Sequence, residues 1–268
     1  MTGRTLLSHA GYLLSILAML ALAIPGAGAA SCAAESGPRR IALLELYTSE
    51  GCDSCPPTDR WVSALAGRGQ GPERVVTLGF HVDYWNYLGW NDPFARADYS
   101  ARQRAANQRN KASFVYTPQL LLNGADYRRG ILRDDISDRV NAINQDRPGA
   151  RISLNMATGP AAEISVQGTI AIPEVARRDG AQAYLAVYEN NLVNAVTAGE
   201  NRGKQLRHDF VVRAFAGPFP VDARGDAAFV HRFPLDPAWK NADLRVASFV
   251  QSRLTGDVLQ ALETPVCR

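Results

Sequence analysis

The chain has 268 residues, 46% of them hydrophobic and 21% charged, a globular composition long enough for one large domain or two modest ones. Its 29 basic and 26 acidic side chains are interspersed and leave a net charge of only +3. Nothing in this pattern argues for nucleic acid or an anionic membrane as partner, because neutralising phosphates needs a clustered basic face.

Residues 1–30 read as a secretory signal. Arg4 supplies the positive start, Tyr12 to Ile24 is an apolar run of thirteen residues, and small residues around Ala27-Gly28-Ala29 form a cleavage site. Thirteen residues are short for a membrane span, which needs about twenty. The expected product is a periplasmic or secreted protein with no stable membrane insertion. Residues 31–40 then read as a linker.

From Ile41 the pattern is mixed α/β. Ile41 to Tyr47 (IALLELY) is a short apolar run, the mark of a buried strand. A loop leads into CDSCPP and a helix over Asp59 to Ala66; two prolines fit only the first turn of that helix, where N–H groups lack partners anyway. Arg74 to His81 is a second strand. An aromatic loop follows with Tyr84, Trp85, Tyr87, Trp90 and Phe94, then a polar helix from Ala95 to Lys111. Val115 to Gly124 is a strand carrying Pro118 near its start, with a hairpin partner over Ala125 to Arg129 and a helix over Ile131 to Gln145. Pro148-Gly149 marks a boundary. Beyond it come six to eight short alternating strands and no long helix, which predicts an all-β sandwich. The fold expected is an α/β thioredoxin-like domain over 41–147 followed by a β-sandwich domain over 148–268.

The chemistry sits in four cysteines, Cys32, Cys52, Cys55 and Cys267. An even count suits an oxidising compartment. The simplest accounting makes Cys52–Cys55 the working pair and Cys32–Cys267 a clasp between the ends. The alternative of a lipidated Cys32 ranks lower, because Ala29-Ala30-Ser31 lacks the large aliphatic residue usual before a lipidated cysteine. A helix N-terminus stabilises an anion, so Cys52 is the expected exposed nucleophile and Cys55 the buried resolving thiol. Half of a zinc site is the competing reading of a CxxC, but no second CxxC or paired histidines stand at ligand spacing. No metal and no organic cofactor is expected. Glu45, a carboxylate inside an apolar strand seven residues before Cys52, is the candidate proton acceptor for Cys55. His81 and Asp83 end the second strand and point to the same region. Arg207, His208 and Asp209 read as surface or turn residues.

The stretches LELYTSEGCDSCPPTDRW, FHVDYWNYLGWNDPFA, YTPQLLLNG and AVYENNLVNAVTAGENRGKQLRHDFVVR resemble a family of secreted, thioredoxin-like bacterial proteins catalogued as domain of unknown function 1223. The resemblance spans nearly the whole mature chain. It implies the thioredoxin-like half and the β-rich half. In thioredoxin folds a cis-proline at the place of Pro118 packs against the dithiol and Thr117 offers its backbone to a substrate chain, the alternative being a plain edge-strand proline. The aromatic loop with Trp85 is either a peptide-binding rim or an insert packed on its own domain. The family implies no substrate.

The function expected is thiol–disulfide exchange on a protein or small-molecule disulfide, with a membrane electron donor as a further partner. Asp53 stands where the family commonly has a small residue. A carboxylate there repels the Cys52 thiolate and favours a reducing dithiol. Two alternatives remain: a copper-handling protein using Cys52, Cys55 and His81, since Cu(I) suits thiolates, and a structural module with an inert disulfide.

Overall fold

A computed structural model describes residues 1–3, 31–128, 134–159 and 162–267. The expected signal segment, apart from its first three residues, lies outside this set, as does the start of the helix expected at Ile131. In chain order the elements are β1 (Ser31–Glu35), β2 (Ala42–Thr48), α1 (Pro56–Ser63), β3 (Val75–His81), α2 (Ala97–Arg109), β4 (Gln119–Leu122), β5 (Ala125–Asp126) and α3 (Ile136–Gln145). They continue as β6 (Arg151–Gly159), β7 (Glu163–Ala171), β8 (Ala181–Glu189), β9 (Leu192–Ala195), β10 (Gln205–His208), β11 (Val211–Pro220), β12 (Asp226–Pro234), β13 (Leu244–Ser252) and β14 (Val258–Pro265).

The organising element is one eight-stranded mixed sheet of order β14-β13-β8-β11-β3-β2-β4-β5. This corrects the expected thioredoxin-like α/β domain followed by a β-sandwich. The protein is mostly β, and its main sheet runs through both halves without a seam. The join is β11 beside β3, parallel, with Val211 opposite Gly79 and the Gly79 N–H donating to Phe210 O at 2.7 Å. Gly79 allows the approach, because a Cβ there would stand 3.3 Å from Phe210 O. Alternation within a strand reveals which face is buried but not which strand lies alongside, so Pro148-Gly149 looked like a boundary between two cores.

Each face of this sheet has its own cover. On one face Leu43, Tyr47, Val76, Leu78 and Phe80 pack with Tyr99 and Ala106 of α2. On the opposite face Ala42, Leu44, Leu46 and Val75 meet α1 and α3 through Val62, Ile136 and Val140, with Leu65 just beyond α1. Further along that second face, a four-stranded sheet of order β1-β6-β7-β12 packs Ile152, Leu154 and Val166 against Leu185, Val187 and Val246. The β9–β10 pair forms a separate two-stranded ribbon.

Alternation along β2 has a consequence for Glu45. It shares the α2 face with Leu43 and Tyr47, not the α1 face, and its Oε1 accepts from Arg102 Nε at 2.7 Å. The Arg102 guanidinium lies over Phe80, Tyr184, Phe215 and Phe249, at 5.1–5.7 Å from each ring centre. Glu45 is therefore half of a buried ion pair on the side of the sheet away from the dithiol helix.

Cys32 and Cys267 are bonded, with Cα atoms 5.8 Å apart and a sequence separation of 235. A structural disulfide of this kind belongs to an extracytoplasmic protein. Among the described residues no helix is long and apolar enough to cross a membrane. Replacing both cysteines by serine should lower the unfolding free energy by up to about 5 kcal/mol on the loop-entropy account. Urea unfolding of the oxidised proteins measures it, and a loss below about 1 kcal/mol would show that the clasp contributes little.

Candidate functional site

The site lies where β2 and β3, which run parallel, end side by side, with Thr48 opposite His81. Loops at the carboxyl ends of parallel strands are the usual place for chemistry in such sheets. Here the chain turns through Ser49-Glu50-Gly51 into Cys52, and α1 begins after Cys55. Pro56 and Pro57 occupy its first turn, and Cys55 O accepts from the N–H groups of Thr58 (2.9 Å) and Asp59 (3.1 Å). Cys52 and Cys55 are joined as a disulfide. Neither residue has exposed surface, unlike the open Cys52 expected from its helix-terminal position.

A cluster of buried charged groups fills the space beneath this loop. Glu50 is fully buried; its Oε1 lies 3.1 Å from His208 Nε2, and its Oε2 accepts from Trp90 Nε1 (2.9 Å) and Asn194 Nδ2 (2.8 Å). Asp59, one helical turn beyond Cys55, accepts from Thr48 Oγ1 at 2.9 Å. Its other oxygen has no hydrogen-bond partner among the described residues and lies 3.7 Å from His208 Nδ1. His81 Nδ1 lies 2.7 Å from Asp92 Oδ2, which also accepts the Glu50 N–H at 2.9 Å. The His81 and His208 rings meet edge to face, 5.0 Å between centres.

Burial is the largest single influence on Asp59, His81 and Asp92; it prevails at Asp59 and is overcome by neighbours at the other two. Burial pushes the Asp59 carboxyl above its ordinary value, outweighing the two histidines and Thr48. Burial presses the His81 imidazolium down, but the charge and hydrogen bond of Asp92 reverse this and leave it raised. Asp92 is lowered, its burial overcome by His81 and by the backbone N–H groups of Glu50 and Phe94.

The remaining residues singled out from the sequence fall around this centre. The Thr117–Pro118 bond is cis, and Thr117 Oγ1 accepts from Trp85 Nε1 at 2.7 Å. Trp85 also backs onto the CxxC loop, since a Cβ on Gly51 would stand 3.1 Å from its Cβ. Helix α2 holds this segment through Gln103 Nε2 to Tyr116 O (2.8 Å) and Asn107 Nδ2 to Phe114 O (3.0 Å). A surface cleft of about 550 Å³ beside Pro118 reaches Thr58, Phe114 and Tyr127. Asp83 is turned away and bonds Ser100, and Glu45 sits on the opposite face. His208, expected at the surface, is buried at the centre of the cluster. Its inward direction was present in the alternation of β10, where Leu206 and His208 are buried and Gln205 and Arg207 exposed. Among the described residues no group of His, Cys, Asp and Glu is placed to hold a metal ion.

The pH dependence of stability follows from these shifts. A raised His81 contributes stability that is complete below about pH 6.5 and is lost as pH rises through its folded value. The raised Asp59 acts in the same direction, since ionising it inside the fold has a cost above about pH 3.9. The lowered Asp92 contributes above about pH 3.9, and that part is lost as pH falls through its folded value. Urea unfolding between pH 6 and 9 should show declining stability in the wild type and a flatter profile in His81→Phe. Parallel profiles would mean that the imidazolium is not held by Asp92.

The fold is shared with solved structures of low sequence identity. A crystal structure of an Agrobacterium tumefaciens protein is 23% identical, with a TM-score of 0.56 over 87% of this chain and 96% of that one. HBP35 of Porphyromonas gingivalis is 16% identical, with a TM-score of 0.65 over 86% of this chain and 76% of that one. These likenesses are of fold. No curated protein sequence matches the chain. The model of a family described as a protein of unknown function, DUF1223, matches residues 43–251, and the chain belongs to that family.

Proposed function

We propose that this protein is a periplasmic or secreted thiol–disulfide oxidoreductase, with Cys52 and Cys55 as its reacting pair. The observation that carries the reading is a closed CxxC disulfide at the start of α1, with a buried carboxylate of raised pKa one helical turn below Cys55. An inert structural disulfide has no use for such a group, whose burial is a standing cost.

In the reductive direction, the Cys52 thiolate attacks a substrate disulfide, forms a mixed disulfide and releases one substrate thiolate, which takes a proton from water. Asp59 then accepts the Cys55 thiol proton. The Cys55 sulfur attacks Cys52, the protein disulfide re-forms, and the second substrate thiolate leaves and is protonated by solvent. Asp59 takes the role that the sequence suggested for Glu45. His208, 3.7 Å from the free Asp59 oxygen, is placed to relieve it of the proton. A substrate polypeptide lies along the cleft beside Pro118, with Thr117 and Trp85 at its edge. A membrane protein supplies the electrons that return the dithiol to its reduced form.

Insulin reduction in the presence of dithiothreitol tests this. Cys52→Ser should be inactive, and Cys55→Ser should accumulate mixed disulfides. Asp59→Asn should retain the first attack but slow resolution by about a hundredfold, the usual scale for a positioned proton acceptor. An Asp59→Asn variant with unchanged turnover would remove Asp59 from the mechanism. Wild-type protein no faster than Cys52→Ser would remove the activity itself.

A further inference from the structure

The CxxC residues are buried although they lie in a loop at the end of the sheet, and an element from the distant second half accounts for the cover. The β9–β10 ribbon continues the β8–β11 pair in the same register beyond the edge of the main sheet, so its base is held by those strands while its far end and the loop between its strands are held by side chains. Asn201 in that loop is fully buried, and its amide donates to Glu50 O at 2.9 Å and to Cys52 O at 2.8 Å, gripping the chain on both sides of Gly51. The Asn201 side-chain oxygen accepts from Lys204 Nζ at 2.8 Å. Glu200 accepts the Asp53 N–H at 3.0 Å. Gly199, at φ +70°, brings the backbone so close that a Cβ there would stand 3.3 Å from Trp90 Cβ and 3.8 Å from Gly51 Cα. Asn194 and His208, one on each strand, anchor the ribbon to the Glu50 carboxylate.

We propose that Asn201 is a positioning residue for the dithiol and that the β9–β10 ribbon is a specificity-determining cover over Cys52. The loop between β9 and β10, residues 196–204, lies beyond the last strand pair, and a segment of that kind can lift from the CxxC loop while Asn194 and His208 stay on Glu50 and the core stays folded. Closed, this loop of the ribbon keeps small thiols and disulfides from the Cys52 sulfur. Open, it admits them and withdraws the amide that fixes the Cys52 carbonyl. The use of this cover in selecting a substrate rests on the redox reading above; its existence does not.

Reduction of the native protein by dithiothreitol, followed by alkylation and mass mapping, tests it. Two dithiothreitol thiols become a cyclic disulfide, while Cys52 and Cys55 gain two electrons and two protons. The Cys32–Cys267 bond serves as an internal control for general loosening. Asn201→Ala should speed reduction of Cys52–Cys55 about tenfold, from the loss of two buried hydrogen bonds, with the Cys32–Cys267 rate unchanged. Glu200→Gln, at an exposed position that does not threaten folding, should give about a threefold increase. Equal rates in the wild type and both variants would overturn the cover, and so would parallel acceleration of both disulfides. Selective acceleration in a protein that never reduces insulin would uphold the cover and overturn the redox reading.

Discussion

A carboxylate buried without solvent must be met at both oxygens, and the way Glu50 meets that demand holds the site together. Its partners come from three separate places: Trp90 from the aromatic loop, Asn194 from β9 and His208 from β10. Its own backbone N–H goes to Asp92, which in turn holds His81 at the end of β3. An unpaired charge in this position would be costly, and removing one partner of a buried pair is far worse than never having had it. The CxxC loop, the aromatic loop and the ribbon are therefore fixed relative to one another by one side chain two residues before Cys52.

That arrangement explains why the two halves of the chain form one sheet. The cysteines and Asp59 come from the first half, whereas His208, Asn194 and Asn201 come from the second. They meet only because β11 runs beside β3, which sets the ribbon preceding β11 over the ends of β2 and β3. A disulfide in such surroundings differs from the clasp between Cys32 and Cys267, which borders an apolar core with no cluster of acids and histidines. The same oxidation state thus occurs in two environments, one apolar and one lined by buried acids and histidines.

Much of the local structure was legible in the sequence, while the spatial partnerships were not. IALLELY and RVVTLGFH read as buried strands because they are continuous apolar runs, and CDSCPP placed the cysteines at a helix start because prolines tolerate little else. The face on which Glu45 lies was open to the same reasoning: β2 alternates, so Glu45 sides with Leu43 and Tyr47, and only knowing which face α1 covers separates it from the dithiol. His208 needed more. Its inward direction followed from alternation in a four-residue strand, but its partners Glu50 and Asp59 are 158 and 149 residues away in sequence (208 − 50; 208 − 59). Asn201 sat in a stretch rich in Gly, Asn and charge, where turn composition masks a buried side chain.

The central claim is that Cys52–Cys55 is a working redox couple in a folded protein. Glu200 takes the Asp53 N–H, an amide next to Cys52 for which a thiolate there would otherwise compete, and on the proposed reading this favours the oxidised form and a reducing potential. Equilibrating the native protein against dithiothreitol and glutathione buffers, with the Cys52–Cys55 state read by alkylation, tests the claim most directly. The account predicts a reversible two-electron transition near thioredoxin's potential of about −270 mV, with Cys32–Cys267 still bonded. A midpoint above about −150 mV, or a Cys52–Cys55 bond that opens only when the whole protein unfolds, would contradict it.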